Sequence, residues 1–326
     1  GMMEKTMREH MKNRFGGDAN FSEKPPLPKS LNVELNTNCN QKCVFCPFHG
    51  EKAYQQLETT MMKYEDAVAI LDQAHALGIG EKEVGFYMAG EAFIHKDLAR
   101  IIQYAKGLGF QYTFLTTNGA LATPDKMKEV LDAGLDSIRF SVNASDRESY
   151  AEIHGRDDYE QVLENIKYMA EYIKQNNLSV ATSISCVITK QTLGIQDDVR
   201  KIFGQYVDDI LFIPVLMNRL NFDVDFIEKY KIMDDSRATI NEEYVCPILF
   251  NTMYIGANMK VMPCCDAYDT NCFFYDLKQD FDLEKAWYSD GYRRYRDIFL
   301  KDADDKETLC ERCMLRRKGV ERLILE

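Results

Sequence analysis

No stretch of this chain approaches the roughly 20 consecutive apolar residues that a membrane-spanning helix needs, which excludes a span. The opening GMMEKTMREHMKNRFGG is too polar for the apolar region of a secretory signal. Basic side chains are in deficit, 40 Lys and Arg against 52 Asp and Glu, for a net charge of −12. A protein that tracks a phosphate backbone normally carries a basic surface, so nucleic acid is excluded as a general partner, while a local basic pocket is not. There is no internal repeat and no low-complexity tract, which excludes a repeat array. What the chain does hold is cysteine, ten in 326 residues, at an ordinary 45% hydrophobic content. Without a secretory signal, these cysteines point to a reducing cytoplasm and to metal ligation instead of a disulfide framework.

The chain reads as three parts: an arm over 1–29, a main domain over 30–220 and a smaller domain over 221–326. The arm ends in Lys24-Pro25-Pro26-Leu27-Pro28, whose prolines favour an extended connector. Six strand-like runs follow, at 31–36, 83–88, 112–117, 137–142, 179–188 and 209–217, separated by stretches with helical spacing such as Leu98, Ile101, Ile102, Ala105 and Leu108. Thr123-Pro124 supplies an N-cap and a first-turn proline to one of these helices. Strict alternation predicts a parallel sheet with right-handed crossovers, and six units suggest a partial (β/α)6 TIM-like barrel. Reactive groups in such barrels sit where strands end at their C-terminal rim. A polar stretch after residue 220 marks the change to a cysteine-rich α+β tail.

Cys39-Asn-Gln-Lys-Cys43-Val-Phe-Cys46 places three thiols at C-x3-C-x2-C spacing just after the first strand. Three ligands leave a four-iron cluster one short of the usual four thiolates, so an open iron invites a small molecule; zinc is the alternative occupant. The motif resembles the signature of the radical S-adenosylmethionine (SAM) superfamily. That resemblance implies a 4Fe-4S cluster on Cys39, Cys43 and Cys46 and SAM bound to its open iron. A reductant of flavodoxin or ferredoxin type is also implied. Phe45 falls where the family places an aromatic near the adenine. Met88-Ala89-Gly90-Glu91 resembles the family's Gly-Gly-Glu-Pro motif, so Gly90 and Glu91 are expected to receive the methionine amine. Asn118, in a Thr-Asn-Gly stretch, and Ser141 with Asn143 at the end of the fourth strand stand at the family's polar SAM contacts. For Asn118-Gly119, Ser141 and Asn143 a local turn role is the alternative.

Cys186, Arg156 and Arg219 are the candidate catalytic or substrate-binding residues, with His49 and His154 beside them. A free thiol at Cys186 could return a hydrogen atom in an epimerisation; a small core residue is the plainer alternative.

The tail presents Cys246, Cys264 and Cys310-Glu-Arg-Cys313, which resembles a shortened SPASM or "twitch" domain and implies one auxiliary 4Fe-4S cluster. Cys265 competes with Cys264 as ligand, Cys272 has no assigned partner, and Met259 occupies a turn position where the family commonly has glycine. A zinc knuckle is the alternative. The tail spacing is similar to that of the inosamine dehydrogenase of aminoglycoside biosynthesis. The expectation is therefore an oxidoreductase acting on a small polar substrate of sugar, cyclitol or nucleotide-sugar type, the short arm being too small for a peptide-recognition domain. A peptide maturase and a redox-neutral epimerase are the rivals.

Overall fold

The computed structural model describes residues 7–16, 19–53, 57–217, 223–267 and 272–320. Strands β1 (Ser30–Val33), β2 (Glu83–Phe86), β3 (Thr113–Thr117), β4 (Ser137–Ser141), β5 (Ala181–Ile188) and β6 (Asp209–Pro214) coincide with the six expected runs. They pair in sequence order and in parallel. Ten-residue α1 (Met7–Gly16) precedes them, and α2 (Tyr64–Leu77), α3 (Leu98–Leu108), α4 (Pro124–Asp132), α5 (Arg147–His154), α6 (Tyr159–Gln175) and α7 (Gln196–Phe203) fill the crossovers. The tail adds α8 (Val224–Tyr230), β7 (Thr239–Ile240), α9 (Ile248–Asn251), β8 (Thr252–Ile255), β9 (Lys260–Met262), β10 (Tyr275–Asp276), α10 (Leu283–Trp287), α11 (Asp290–Leu300) and β11 (Arg317–Lys318). β7 and β11 form a separate two-stranded pair.

The main sheet runs β10-β9-β8-β1-β2-β3-β4-β5-β6, so β8 from the tail lies parallel to β1 and continues the sheet across residue 220. Sequence pattern did not anticipate this. Alternation along each strand divides the sheet into two faces. Leu31 and Val33, Val84 and Phe86, Ile138 and Phe140, and Ile184 share one core with Ile70, Leu71, Ile101, Ile102, Val130, Val162 and Ile166 of the helices. A one-residue slip would move all of these out of that core, at about 1.5–3 kcal/mol for each large side chain, and this holds the register.

The opposite, inner face is polar and carries α1. There Glu83 at the start of β2 accepts from Arg14 Nε at 2.6 Å and meets His10 Nδ1 at 2.5 Å, while Arg8 Nε reaches Asp209 at 2.7 Å. The proline segment 25–28 runs without helix or strand, as expected of an extended connector, and ahead of it α1 is a helix docked against the starts of the strands. The proline segment is anchored through its carbonyls, Pro26 to Trp287 Nε1 and Pro25 to the Tyr288 hydroxyl. Thr123 stands at the N-cap of α4 before Pro124, but its side chain makes no capping hydrogen bond.

Candidate functional site

The rim is assembled by side chains that replace backbone pairing. Strand β2 ends at Phe86, and beyond it three inner-face residues of β1's line take over at a constant offset. Asn32 Nδ2 donates to the Tyr87 carbonyl, Glu34 accepts from the Ala89 N–H, and Asn36 Nδ2 donates to the Glu91 carbonyl, at 2.7, 2.9 and 2.7 Å. Close approach explains Gly90: a Cβ there would stand 2.1 Å from the Asn36 carbonyl oxygen. Gly50 plays the same part inside the cysteine loop, where a Cβ would lie 2.7 Å from the Cys43 carbonyl oxygen.

Cys39, Cys43 and Cys46 lie on this loop close enough to feel one another's charge. Burial, then the Glu91 and Cys46 charges, push the Cys39 thiol up to about 11, and burial with its two companions raises Cys43. Cys46 Sγ accepts from the Phe48 and His49 N–H groups, both at 3.4 Å. His154 is fully buried and stacked on Tyr150 with ring centres 3.8 Å apart. Its Nε2 accepts the Asn143 backbone N–H, which leaves the proton on Nδ1, aimed at Gln41 Oε1 (2.9 Å) and Cys43 Sγ (3.6 Å). Burial pushes this imidazole down to about 3, so it is neutral. Thiols with N–H donors around them fit a cluster that replaces their protons with iron. Among the described residues no group of three or more His, Cys, Asp or Glu is set to hold a single metal ion. A four-iron cluster takes one thiolate per iron, so its ligands need not converge on a point.

Glu91 is buried and held by the protein: its carboxylate accepts the Asn118 N–H at 2.7 Å, the Phe93 N–H at 2.8 Å and the Thr117 hydroxyl at 2.9 Å. It ties the loop after β2 to the loop after β3, where Ala89 O accepts from His49 Nε2 at 2.9 Å. Asn118 lies at the cysteine loop, its Nδ2 donating to Asn40 Oδ1 at 3.0 Å and reaching Cys39 Sγ at 3.8 Å. Asn143 Oδ1 accepts the Val187 N–H at 2.8 Å and so closes the end of β5 against β4. Ser141 is half-buried, paired in register with Ser185. Phe45 packs in a small apolar cluster with Ile153, Val187, Val215 and Met217 beyond the ends of β5 and β6.

The catalytic candidates fare differently. Cys186 is fully buried and shares the helix-side core with Ile184, Ile188 and Phe203, while Val187 and its inner-face neighbours point the other way. Strand parity therefore turns the thiol away from the inner face, and burial raises it to about 12. Arg156 is exposed in the turn after α5 and is not gathered into the rim. Arg219 lies outside the described residues.

In the tail, Cys246, Cys310 and Cys313 feel one another's charge, and Cys264 feels that of Cys246. Cys264 also feels the charge of Cys265, which acts in addition on Tyr87 and Tyr254, and all three residues Cys246, Cys264 and Cys265 border one cluster with those tyrosines. Met259 adopts the left-handed conformation expected of a glycine, φ +66°, and the turn still closes through Gly256 N–H to Lys260 O at 2.9 Å. Cys272 is buried and accepts from the Tyr295 hydroxyl. The sequence reading missed Glu34, which also accepts the Ala257 N–H at 3.1 Å and so joins the rim to the tail. An acidic residue on a strand's inner face, five before the first cysteine, was the available signal.

The fold and rim define a cysteine-rich α/β scaffold built to hold iron-sulfur clusters at the C-terminal ends of parallel strands. The chain belongs to the radical SAM superfamily, whose family model matches residues 33–202, more than half of its length. A second model, described as an iron-sulfur cluster-binding domain (SPASM), matches residues 246–314. The two matches imply 4Fe-4S clusters and SAM as cofactors. A curated relative, "Probable GTP 3',8-cyclase" of Saccharolobus solfataricus, is 31% identical over 139 residues, 43% of this chain and 42% of that protein. The aligned part thus spans well under half of that relative. "Probable GTP 3',8-cyclase" of Methanococcus maripaludis is 26% identical over 304 residues, 87% of this chain and 96% of that protein. Among solved structures, SuiB of Streptococcus suis bound to precursor peptide SuiA has a TM-score of 0.64 at 18% identity, covering 89% of this chain and 70% of that one. anSMEcpe with bound AdoMet has 0.62 at 15%, covering 87% and 86%. At these identities the structures show the fold alone. No helix among the described residues is long and apolar enough to cross a membrane.

Proposed function

We propose that this chain is a radical SAM oxidoreductase that removes hydrogen from a small polar substrate held on the inner face of the sheet. The observation that carries the reading is that both cysteine sets border that face. Cys39 is reached by Asn118 at the end of β3, and Cys246 and Cys264 pack in one cluster with Tyr254 and Tyr87. When bound, the first cluster and SAM supply a 5'-deoxyadenosyl radical, and the auxiliary cluster supplies a one-electron acceptor. The chain's own part is positioning. Glu91 and Asn36 hold the loop that faces the methionine end, Asn118 and Ser141 offer hydrogen bonds at the rim, and α1 closes the far end against water. In this reading residues 30–220 serve SAM and substrate, 221–326 hold Cys246, Cys264, Cys310 and Cys313, and a flavodoxin or ferredoxin-type reductant acts in the cytoplasm.

A redox-neutral rearrangement is the second reading, favoured by the near-complete overlap with a protein named a GTP 3',8-cyclase. Anaerobic turnover with candidate sugars, cyclitols and nucleotides, read by mass spectrometry, separates the two. A product lighter by a pair of hydrogens, formed alongside 5'-deoxyadenosine, supports dehydrogenation. A product of unchanged mass overturns it in favour of the rearrangement.

A further inference from the structure

Across the middle of the inner face the register sets three polar side chains side by side: Thr116 of β3 opposite Arg139 of β4, and Arg139 opposite Ser183 of β5. Arg139 is the odd charge of this region. Three guanidiniums, Arg8, Arg14 and Arg139, share it with two carboxylates, and both carboxylates are committed, Asp209 to Arg8 and Glu83 to Arg14 and His10. Among the described residues no carboxylate pairs with Arg139. Its Nη2 reaches Met11 Sδ at 2.8 Å, a weak acceptor, and its buried Nε has no partner. The Ser183 hydroxyl, on a buried residue, has none either. Burial, reinforced by the nearby Arg14, pushes Arg139 down to about 10 against the opposing pull of Tyr87 and Asp209.

Arg139 is half-buried with an unpartnered Nε, and Arg, Ser and Thr together offer a set of donors matched to an oxyanion. We infer that Arg139, with Ser183 and Thr116, is the anion-binding pole of the substrate chamber, and that the substrate carries a phosphate or carboxylate oxyanion seated there. Two register pairs further along, on the same face, stand Ser141 and Ser185, then the rim. At about 3.3 Å per residue, Arg139 lies roughly 7–13 Å below Ser141 and Asn143 along the strand, a distance that matches a reacting unit of sugar size. The inference rests on the small-substrate reading above.

The test uses the reconstituted chain with inorganic phosphate and, separately, acetate as probes, followed by calorimetric titration and thermal unfolding. Saturable binding of one ion by the parent, weakened about tenfold or more in Arg139→Gln and less in Arg139→Lys, is the expected result, and whichever ion binds assigns the source. Without either ion, Arg139→Met unfolds at a higher temperature than the parent, because it removes an unpaired buried charge; a merely structural arginine would give a lower one. Unchanged ion binding in Arg139→Gln, or no saturable binding of either ion by the parent, overturns the inference. The mass-spectrometric assay reports separately on the small-substrate reading: ion binding lost on substitution in a chain that modifies only peptides would sink that reading and leave the anion pole in place.

Discussion

The two cysteine sets are built in opposite ways. Cys39, Cys43 and Cys46 sit within eight residues, and the loop closes on itself through Cys46 N–H to Cys43 O and Gly50 N–H to Cys46 O. Cys246, Cys264 and the Cys310–Cys313 pair come from three distant segments. The turn that Met259 completes leads into Cys264, and the 3₁₀ turn Leu309–Arg312 with Arg316, which binds both Asp305 and the Cys310 carbonyl, places the Cys310–Cys313 pair. A local motif announces itself by spacing, whereas a dispersed one depends on packing to decide which thiols meet.

Removing the first set is the strongest way to break the comparison. The Cys39→Ala, Cys43→Ala, Cys46→Ala triple variant should lose all reductive SAM cleavage and fall from about eight to about four irons per chain. Iron and sulfide analysis after anaerobic reconstitution checks it, and an unchanged count would mean that the loop holds no cluster. Next in size, Cys264→Ser should drop the auxiliary irons while Cys265→Ser keeps them, because Cys264 feels the charge of Cys246, the first thiol of the set. The reverse result would exchange their roles.

Glu34 joins the two regions through Ala89 and Ala257, and burial raises its carboxyl to about 7. A carboxyl raised on folding holds its proton more tightly in the folded chain. Its stabilising contribution is complete below about pH 4.5 and is lost as pH rises through about 7, roughly 3 kcal/mol in all. Denaturant titrations of the parent and Glu34→Gln across that window should converge on the acid side and part on the alkaline side, with the parent losing more; parallel curves would sink the assignment. The smallest effect belongs to Cys186→Ala. Trimming a core thiol on the helix side should cost about 1 kcal/mol and leave turnover intact, so a dead but folded variant would restore the thiol as a hydrogen donor.

Much of this molecule was legible before any coordinate. Six parallel strands, the rim positions of Asn118 and Asn143, and the first cysteine set follow from alternation and spacing, since a two-residue period and a short chelating loop are local properties of a chain. Which way a side chain on a known strand faces was less secure: Cys186 sits one position from Ser185 and Val187, and that parity turns it toward the helices. Local sequence also could not show that Glu91 is held by Asn118 and Phe93, that α1 closes the starts of the strands, or that β8 joins β1. Those outcomes depend on groups separated by tens to hundreds of residues, brought together by the burial of the outer core. The sequence by itself determined the cofactor chemistry and the parallel strand order, because each is encoded within a few neighbouring residues. Only the tertiary structure decided which carboxylates are spent, which thiols face one another and which arginine is left without a partner, because hydrogen-bond satisfaction and charge balance are properties of the packed whole.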